Sequence, residues 1–121
     1  MGQNYAEAYS TYPDTELVAI AEFNEERRGE MGERFGVTAL YPDAAALFKE
    51  IVPDIAVTVL PVQYNTGAVL AAVEAGVKAI QTEKPLAARL SDADAMVEAC
   101  EANGVLFAGG NRQRARNEVQ E

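Results

Sequence analysis

The run Asp54-Ile55-Ala56-Val57-Thr58-Val59-Leu60-Pro61 is almost wholly apolar between its two end residues. Its β-branched side chains favour a strand over a helix. Apolar residues that follow one another without alternating with polar ones are typical of a strand buried on both faces, as in the interior of a parallel sheet. The pattern therefore predicts that residues 55–60 form an interior strand.

Similar runs recur on both sides of this strand, separated by segments with helical periodicity. The strand-like runs are residues 17–21, a weaker 37–41, 77–82 and 105–108. Residues 17–21 are also continuously apolar, so we expect them too to be central and buried on both faces. The predicted helices are residues 4–12, 25–35, 43–52, 66–75 and a last helix that begins at the N-cap Ser91 and ends at Asn103-Gly104. This order predicts an α/β fold in which helices cover a parallel sheet.

Composition narrows the classes of function. The chain has 121 residues, 10 Lys and Arg against 19 Asp and Glu, a net charge of −9, and no His. Such an excess of negative charge argues against a nucleic-acid partner, because non-specific affinity for nucleic acid comes from clustered cations. Without His, and with Cys100 as the one Cys, the sequence predicts neither a metal site nor a disulfide, and any chemistry must use Lys, Tyr, carboxylates or a bound cofactor.

The cellular compartment is predicted from what the sequence lacks. The first residues, Met1 to Glu7, have no cationic segment followed by an apolar one, and no apolar run approaches the ~20 residues that cross a bilayer. We therefore expect no membrane partner. A lone Cys fits a reducing compartment, so the protein is predicted to be cytoplasmic.

Several short motifs, taken in order, resemble those of one family of enzymes. They are Glu16-Leu17-Val18-Ala19-Ile20-Ala21-Glu22, Phe35-Gly36-Val37, Tyr41-Pro42-Asp43, residues 54–61, Glu74-Ala75-Gly76 and Glu83-Lys84-Pro85-Leu86-Ala87. In this order and spacing, the chain resembles the cofactor half of the Gfo/Idh/MocA family, the glucose-fructose oxidoreductases and inositol dehydrogenases. The resemblance extends from Gly2 to about Arg114.

The resemblance implies a Rossmann-like, doubly wound parallel sheet that lacks its first strand and most of its glycine-rich turn. Residues 1–110 would be a partial dinucleotide-binding domain, and residues 111–121 the start of the connection to an absent C-terminal substrate domain. Gly2 would be the last glycine of the phosphate-binding turn. Where the first strand is missing, we expect the strands at 17–21 and 55–60 to pair directly or to be covered in a dimer.

The implied function is the cofactor-binding part of an NAD(P)-dependent oxidoreductase that acts on a sugar, a polyol or a related small molecule. Glu22 follows the strand at 17–21, where a carboxylate binds the adenosine ribose and repels a 2′-phosphate, so NAD is favoured. Arg27 and Arg28 follow and could neutralise that phosphate, which leaves NADP open. These residues alone are expected to bind the cofactor weakly or not at all and to be inactive.

The remaining implied site residues follow the predicted strands at 55–60 and 77–82. In the family, the lysine at the position of Lys84 contacts the substrate hydroxyl and assists proton transfer, and the bond before the proline at the position of Pro85 is often cis. Glu83, Pro61 and Asn65 would lie around the nicotinamide end of the cofactor. The family usually has His where Asn65 stands, and Asn cannot carry a proton. We expect Asn65 to serve mainly as a helix N-cap.

Two other functions were weighed by the same residues: one stays open and one is excluded. A non-catalytic domain that has kept the fold and acts as a homodimer is the alternative, and the oligomeric state is left open. A phospho-acceptor receiver domain would need an Asp at the carboxyl end of its central strand, whereas Asp54 precedes the strand at 55–60. The receiver is therefore excluded.

Overall fold

Five helices alternate with five strands along residues 2–110, the part of the chain that this computed structural model describes. The helices are α1 (Gly2–Thr11), α2 (Glu25–Phe35), α3 (Ala44–Glu50), α4 (Val62–Ala75) and α5 (Leu90–Ala102). The strands are β1 (Ile20–Ala21), β2 (Leu40–Tyr41), β3 (Ile55–Thr58), β4 (Ala79–Glu83) and β5 (Leu106–Gly110). The predicted α/β alternation is confirmed, while the expected connection at 111–121 lies outside the described residues.

The strands form two parallel sheets. β1 pairs with β2, and β4 lies between β3 and β5, with Thr58 opposite Thr82 and Thr82 opposite Gly109. Direct pairing between β1 and β3 was one expectation, and it is wrong, because within residues 2–110 the two strands belong to different sheets. The dimer that was the other expectation stays a prediction.

Local sequence explains the bounds of α2. The Asn24 side chain accepts a hydrogen bond from the Arg27 backbone N–H at 2.9 Å, which satisfies a donor that the first turn leaves unpaired. The helix ends at Gly36, whose φ of 67° is left-handed and therefore favours glycine. Both the start and the end of this helix agree with the prediction.

The starts of α4 and α5 differ from the prediction in a way that changes the role of a named residue. α4 begins at Val62 rather than at residue 66, with Pro61 at its N-cap position, so Asn65 lies inside the helix and the N-cap prediction for it is wrong. Pro61, with ψ of 143°, is extended and precedes the helix, so its missing N–H removes no helical hydrogen bond. Ser91 is likewise the second residue of α5 and not its cap.

The main core lies between α4, α5 and one face of the three-stranded sheet. Its buried residues are Ala56, Val69, Ala72, Val73, Val77, Ile80, Met96 and Cys100. The expectation that two strands are buried on both faces is wrong, because Val18 before β1 is 42% exposed and Ile55 in β3 is 40% exposed. β3 lies at the edge of its described sheet, and its outer face is only partly covered.

None of the helices in residues 2–110 is both long enough and apolar enough to cross a bilayer.

Candidate functional site

The carboxyl ends of β3 and β4 lie side by side and carry most of the candidate residues. Pro61 follows β3, Glu83 ends β4, and Lys84 and Pro85 come next, joined by a cis peptide bond. Because β3 and β4 are parallel and adjacent, these residues lie at one edge of the sheet. In open α/β sheets, this is the edge at which ligands bind.

A cleft of about 320 Å³ opens beside this edge. It is lined by Thr82, Glu83, Lys84, Leu86, Val97, Phe107 and Gly109. The Lys84 side chain is exposed. Val97 on α5 is 39% exposed, because it lines this cleft instead of packing in the core. The cleft thus combines an apolar wall with one amine and one carboxylate.

The Glu83 carboxylate is held by donors from two sides. Oε2 accepts a hydrogen bond from the Tyr5 hydroxyl at 3.0 Å, and Oε1 accepts one from the Lys84 backbone N–H at 3.0 Å. One helical turn further along α1, the Tyr9 hydroxyl donates to Gln81 Oε1 at 2.8 Å, and burial raises the pKa of Tyr9. Helix α1 is therefore fastened to the outer face of β4 next to the site.

Asn65 contacts the same turn from the opposite face. It is only 2% exposed; its Nδ2 donates to the Leu86 carbonyl at 2.9 Å, and its Oδ1 accepts from the Thr82 hydroxyl at 3.1 Å. Thr82 itself is 1% exposed. Both polar groups of Asn65 are thus engaged with the protein.

Thr58, directly across from Thr82, differs from it in its bonding. It is 8% exposed, and its Oγ1 has no hydrogen-bond partner within the described part of the chain. A buried hydroxyl without a partner costs stability, which makes Thr58 an informative control for Thr82.

Glu22 and the two arginines lie at the end of β1. Glu22 is half-buried, and its Oε1 accepts a hydrogen bond from the Asn24 backbone N–H at 3.1 Å. The Arg28 guanidinium donates to the Glu22 carbonyl at 3.0 Å, whereas Arg27 is exposed. Arg28 is therefore held at the backbone of Glu22.

The predicted site residues divide between the two sheets. Pro61, Asn65, Glu83, Lys84 and Pro85 surround the carboxyl edge of β3 and β4, whereas Glu22 follows β1 in the two-stranded sheet and Gly2 is the first residue of α1. That Glu22 converges with Pro61 and Lys84 on one ligand stays a prediction.

The sequence interpretation missed three groups around this edge. They are Tyr5, Thr82 and the Leu86 carbonyl. A polar Thr82 on the same strand face as Ile80 was the available signal, since a buried polar side chain needs a partner. Within residues 2–110, no cluster of three or more His, Cys, Asp or Glu side chains could hold a metal ion.

The sequence of nearly the whole chain matches a known family. Residues 1–110 match the model of the family described as an oxidoreductase family with an NAD-binding Rossmann fold, Gfo/Idh/MocA. The chain belongs to the Gfo/Idh/MocA family. This confirms the resemblance and the Rossmann-like fold inferred from the motifs.

Individual members give the degree of similarity. A D-apiose dehydrogenase from Paraburkholderia graminis is 37% identical over 103 residues, which are 85% of this chain and 27% of that protein. A myo-inositol 2-dehydrogenase from Thermotoga maritima is 33% identical over 118 residues, 97% of this chain and 35% of that protein. This Gfo/Idh/MocA chain therefore spans about a third of the length of these relatives.

A solved structure agrees with the fold over nearly the whole chain. An oxidoreductase from Agrobacterium radiobacter, in complex with NAD⁺, L-tartaric acid and magnesium, superposes with a TM-score of 0.92 at 29% identity. The match covers 98% of this chain and 34% of that one. The two described sheets are thus arranged as in a Rossmann domain of this family.

The described residues offer polar groups that fit the two ends of a nicotinamide dinucleotide. Glu22 Oε1 accepts from Asn24, and the structure describes no donor to Oε2, which leaves an acceptor for a ribose hydroxyl. Lys84 and the open cleft provide a polar group and space at the other end. Helix α1 begins at Gly2, and the role of Gly2 as the last glycine of a phosphate-binding turn stays a prediction.

Proposed function

We propose that this chain is the cofactor-binding part of an NAD(P)-dependent oxidoreductase that acts on a sugar, a polyol or a related small molecule. The observation that carries the proposal is the position of Lys84, at the carboxyl end of β4 and at an open cleft, in a Gfo/Idh/MocA chain. The names of the relatives, D-apiose and myo-inositol dehydrogenases, support polyhydroxylated substrates. We further propose a cytoplasmic location, in keeping with the single, unpaired and buried Cys100.

When bound, the nicotinamide would accept or supply the hydride. The Lys84 amine would bind the substrate hydroxyl and exchange its proton, and Pro61, with Glu83 and Pro85, would shape the nicotinamide end. Glu22 would accept hydrogen bonds from the adenosine ribose. Gly2 would begin the helix that faces the pyrophosphate.

NAD is the preferred cofactor on electrostatic grounds. A 2′-phosphate would face the carboxylate of Glu22, and like charges at hydrogen-bonding distance repel. Arg28 offers a positive charge nearby, but its guanidinium is already bonded to the Glu22 carbonyl. This balance favours NAD(H) over NADP(H).

Titration of the isotope-labelled chain with NADH, followed by ¹H–¹⁵N NMR, tests the proposal even if binding is weak. NADH should shift the amides that follow β1, β3 and β4, including those of Glu22, Val62 and Lys84. Glu22→Gln should weaken NADH binding about tenfold, because it removes a charge-assisted hydrogen bond. Glu33→Gln on α2 makes the same charge change away from the end of β1 and should have no effect.

The opposite outcomes are equally specific. Tighter binding of NADPH than of NADH would indicate that Arg28 binds the 2′-phosphate, and it would overturn the preference for NAD. No shift at the three strand ends would contradict dinucleotide binding by these residues. If sedimentation also showed a tight dimer, the result would favour the non-catalytic homodimer.

A further inference from the structure

The turn that carries Lys84 is fastened at both ends by one buried side chain. Thr82 immediately precedes the segment Glu83-Lys84-Pro85, and Leu86 immediately follows it. Asn65 accepts a hydrogen bond from the Thr82 hydroxyl and donates one to the Leu86 carbonyl. One amide group on α4 therefore spans the whole segment between these two residues.

The hydrogen bond between Thr82 and Asn65 is shielded from water. Asn65 and Thr82 are 2% and 1% exposed, so water cannot replace either bond without opening the structure. Asn65 is held in turn by α4, whose next turn contributes Val69, a completely buried core residue. Asn65 thus connects the turn to the buried core.

We propose that Asn65 is a positioning residue, which places Lys84 by fastening the two ends of the Glu83–Pro85 turn. The effect of this positioning on the reaction rests on the proposed function of Lys84. In this proposal Asn65 hydrogen-bonds to groups of the protein itself and does not contact the cofactor. The amide suits this role because it supplies one donor and one acceptor about a single planar group.

Matched valine substitutions test the proposal. Thr82→Val removes the hydroxyl that donates to Asn65 with almost no change in volume, and Thr58→Val removes an unpartnered hydroxyl from the residue directly across. We expect Thr82→Val to make the amides of residues 84 and 86–88 exchange about tenfold faster relative to Ile80, as loss of one buried hydrogen bond would. Thr58→Val should leave this ratio unchanged.

Substitutions at Asn65 provide the second arm. Asn65→Asp keeps the shape but loses the donor to the Leu86 carbonyl, so the ¹³C resonance of that carbonyl should move and exchange in the turn should accelerate. Asn65→His offers one donor and one acceptor nitrogen and should restore both signals at least in part. If Asn65→Asp does not fold, Thr82→Val and Asn65→His still decide the question.

Three results would be decisive. If exchange in the turn changes no more in Thr82→Val than in Thr58→Val, the proposal is wrong. If the turn loosens but the NADH dissociation constant is unchanged in Thr82→Val, Asn65 does not position the Glu83–Pro85 turn for the cofactor. If wild type shows no NADH response, the proposed function has failed, while amide exchange still determines whether Asn65 fixes the turn.

Discussion

Gly32 shows how one missing side chain sets the distance between two elements. It is buried in α2, and a Cβ added there would lie 2.7 Å from Leu40 Cδ1 and 2.9 Å from the Val37 carbonyl oxygen. A leucine methyl could move, but the backbone of the following loop could not do so cheaply. The close packing of α2 on β2 therefore requires glycine at this position.

We predict that Gly32→Ala lowers the free energy of unfolding by about 1–3 kcal/mol, the usual cost of overpacking. Gly29→Ala is the matched control, because Gly29 lies in the same helix and an added Cβ would meet nothing within 4 Å. That control should gain about 0.5–1 kcal/mol from helix propensity. Urea denaturation measures both, and equal effects of the two substitutions would contradict the packing argument.

Cys100 gives a prediction about pH. Burial raises the pKa of its thiol, so in the folded state the proton is held more tightly than in the unfolded state. The stability is fully present below the pKa of the unfolded thiol, about 8.5, and is lost as the pH rises from there towards the folded pKa. The free energy of unfolding should therefore decrease between about pH 8 and pH 9.5.

Urea unfolding of wild type and Cys100→Ala over this range checks that prediction. The alanine variant should be less stable at pH 7 but should show a smaller decrease with pH. The upper limit is kept below the titration of tyrosine, near pH 10, because burial also raises the pKa of Tyr9. An unchanged pH dependence in Cys100→Ala would mean that another group causes it.

Among the elements, β4 has the strongest structural support. It pairs along its length with β3 and β5, and its inward-facing Ile80 and Thr82 are both about 1% exposed. Strands with two neighbours open only with large parts of the structure, whereas edge strands fray. Native-state hydrogen exchange should therefore show higher mean protection for β4 than for β3 or β5. Equal protection in β4 and β5 would contradict this expectation.

The elements also show what the sequence could predict. Asn24 and Gly36 bound α2 by local chemistry, a side-chain cap and a left-handed glycine, and such bounds are readable from neighbouring residues. The fastening of the Lys84 turn joins Asn65 to Leu86, 21 positions apart, and depends on how α4 packs on the sheet. Lys84 and Asn65 could be named from the family resemblance, but the bonds of Asn65 to Thr82 and Leu86 could not. Burial of β3 was misjudged for the same reason, since an apolar run does not specify what covers each face.

At the scale of the whole molecule, the buried residues fall into two groups that follow the two sheets. The main cluster draws its members from residues 56–100, whereas the buried Ile20 and Val37 lie beside β1 and β2. The groups are connected through α3, where Phe48 packs against the main cluster and Leu47 is buried, and through α1, which hydrogen-bonds to β4 and forms an ion pair with α2. This arrangement would allow the part around β1 and β2 to open while the main core stays closed.

Two substitutions distinguish local from global opening. Gly32→Ala should accelerate amide exchange in residues 20–41 and leave β4 nearly unchanged, because the strain lies between α2 and β2. Val69→Ala, which removes fully buried methyl groups from the main cluster, should cost about 2 kcal/mol and accelerate exchange in β4 as well. If Gly32→Ala reduced protection in β4 as much as in residues 20–41, the two sheets would open as one cooperative unit. Glu22 and Lys84, on different sheets, would then be held in a fixed relation by the fold itself, whereas independent opening would leave their spacing to be set by the ligand that bridges them.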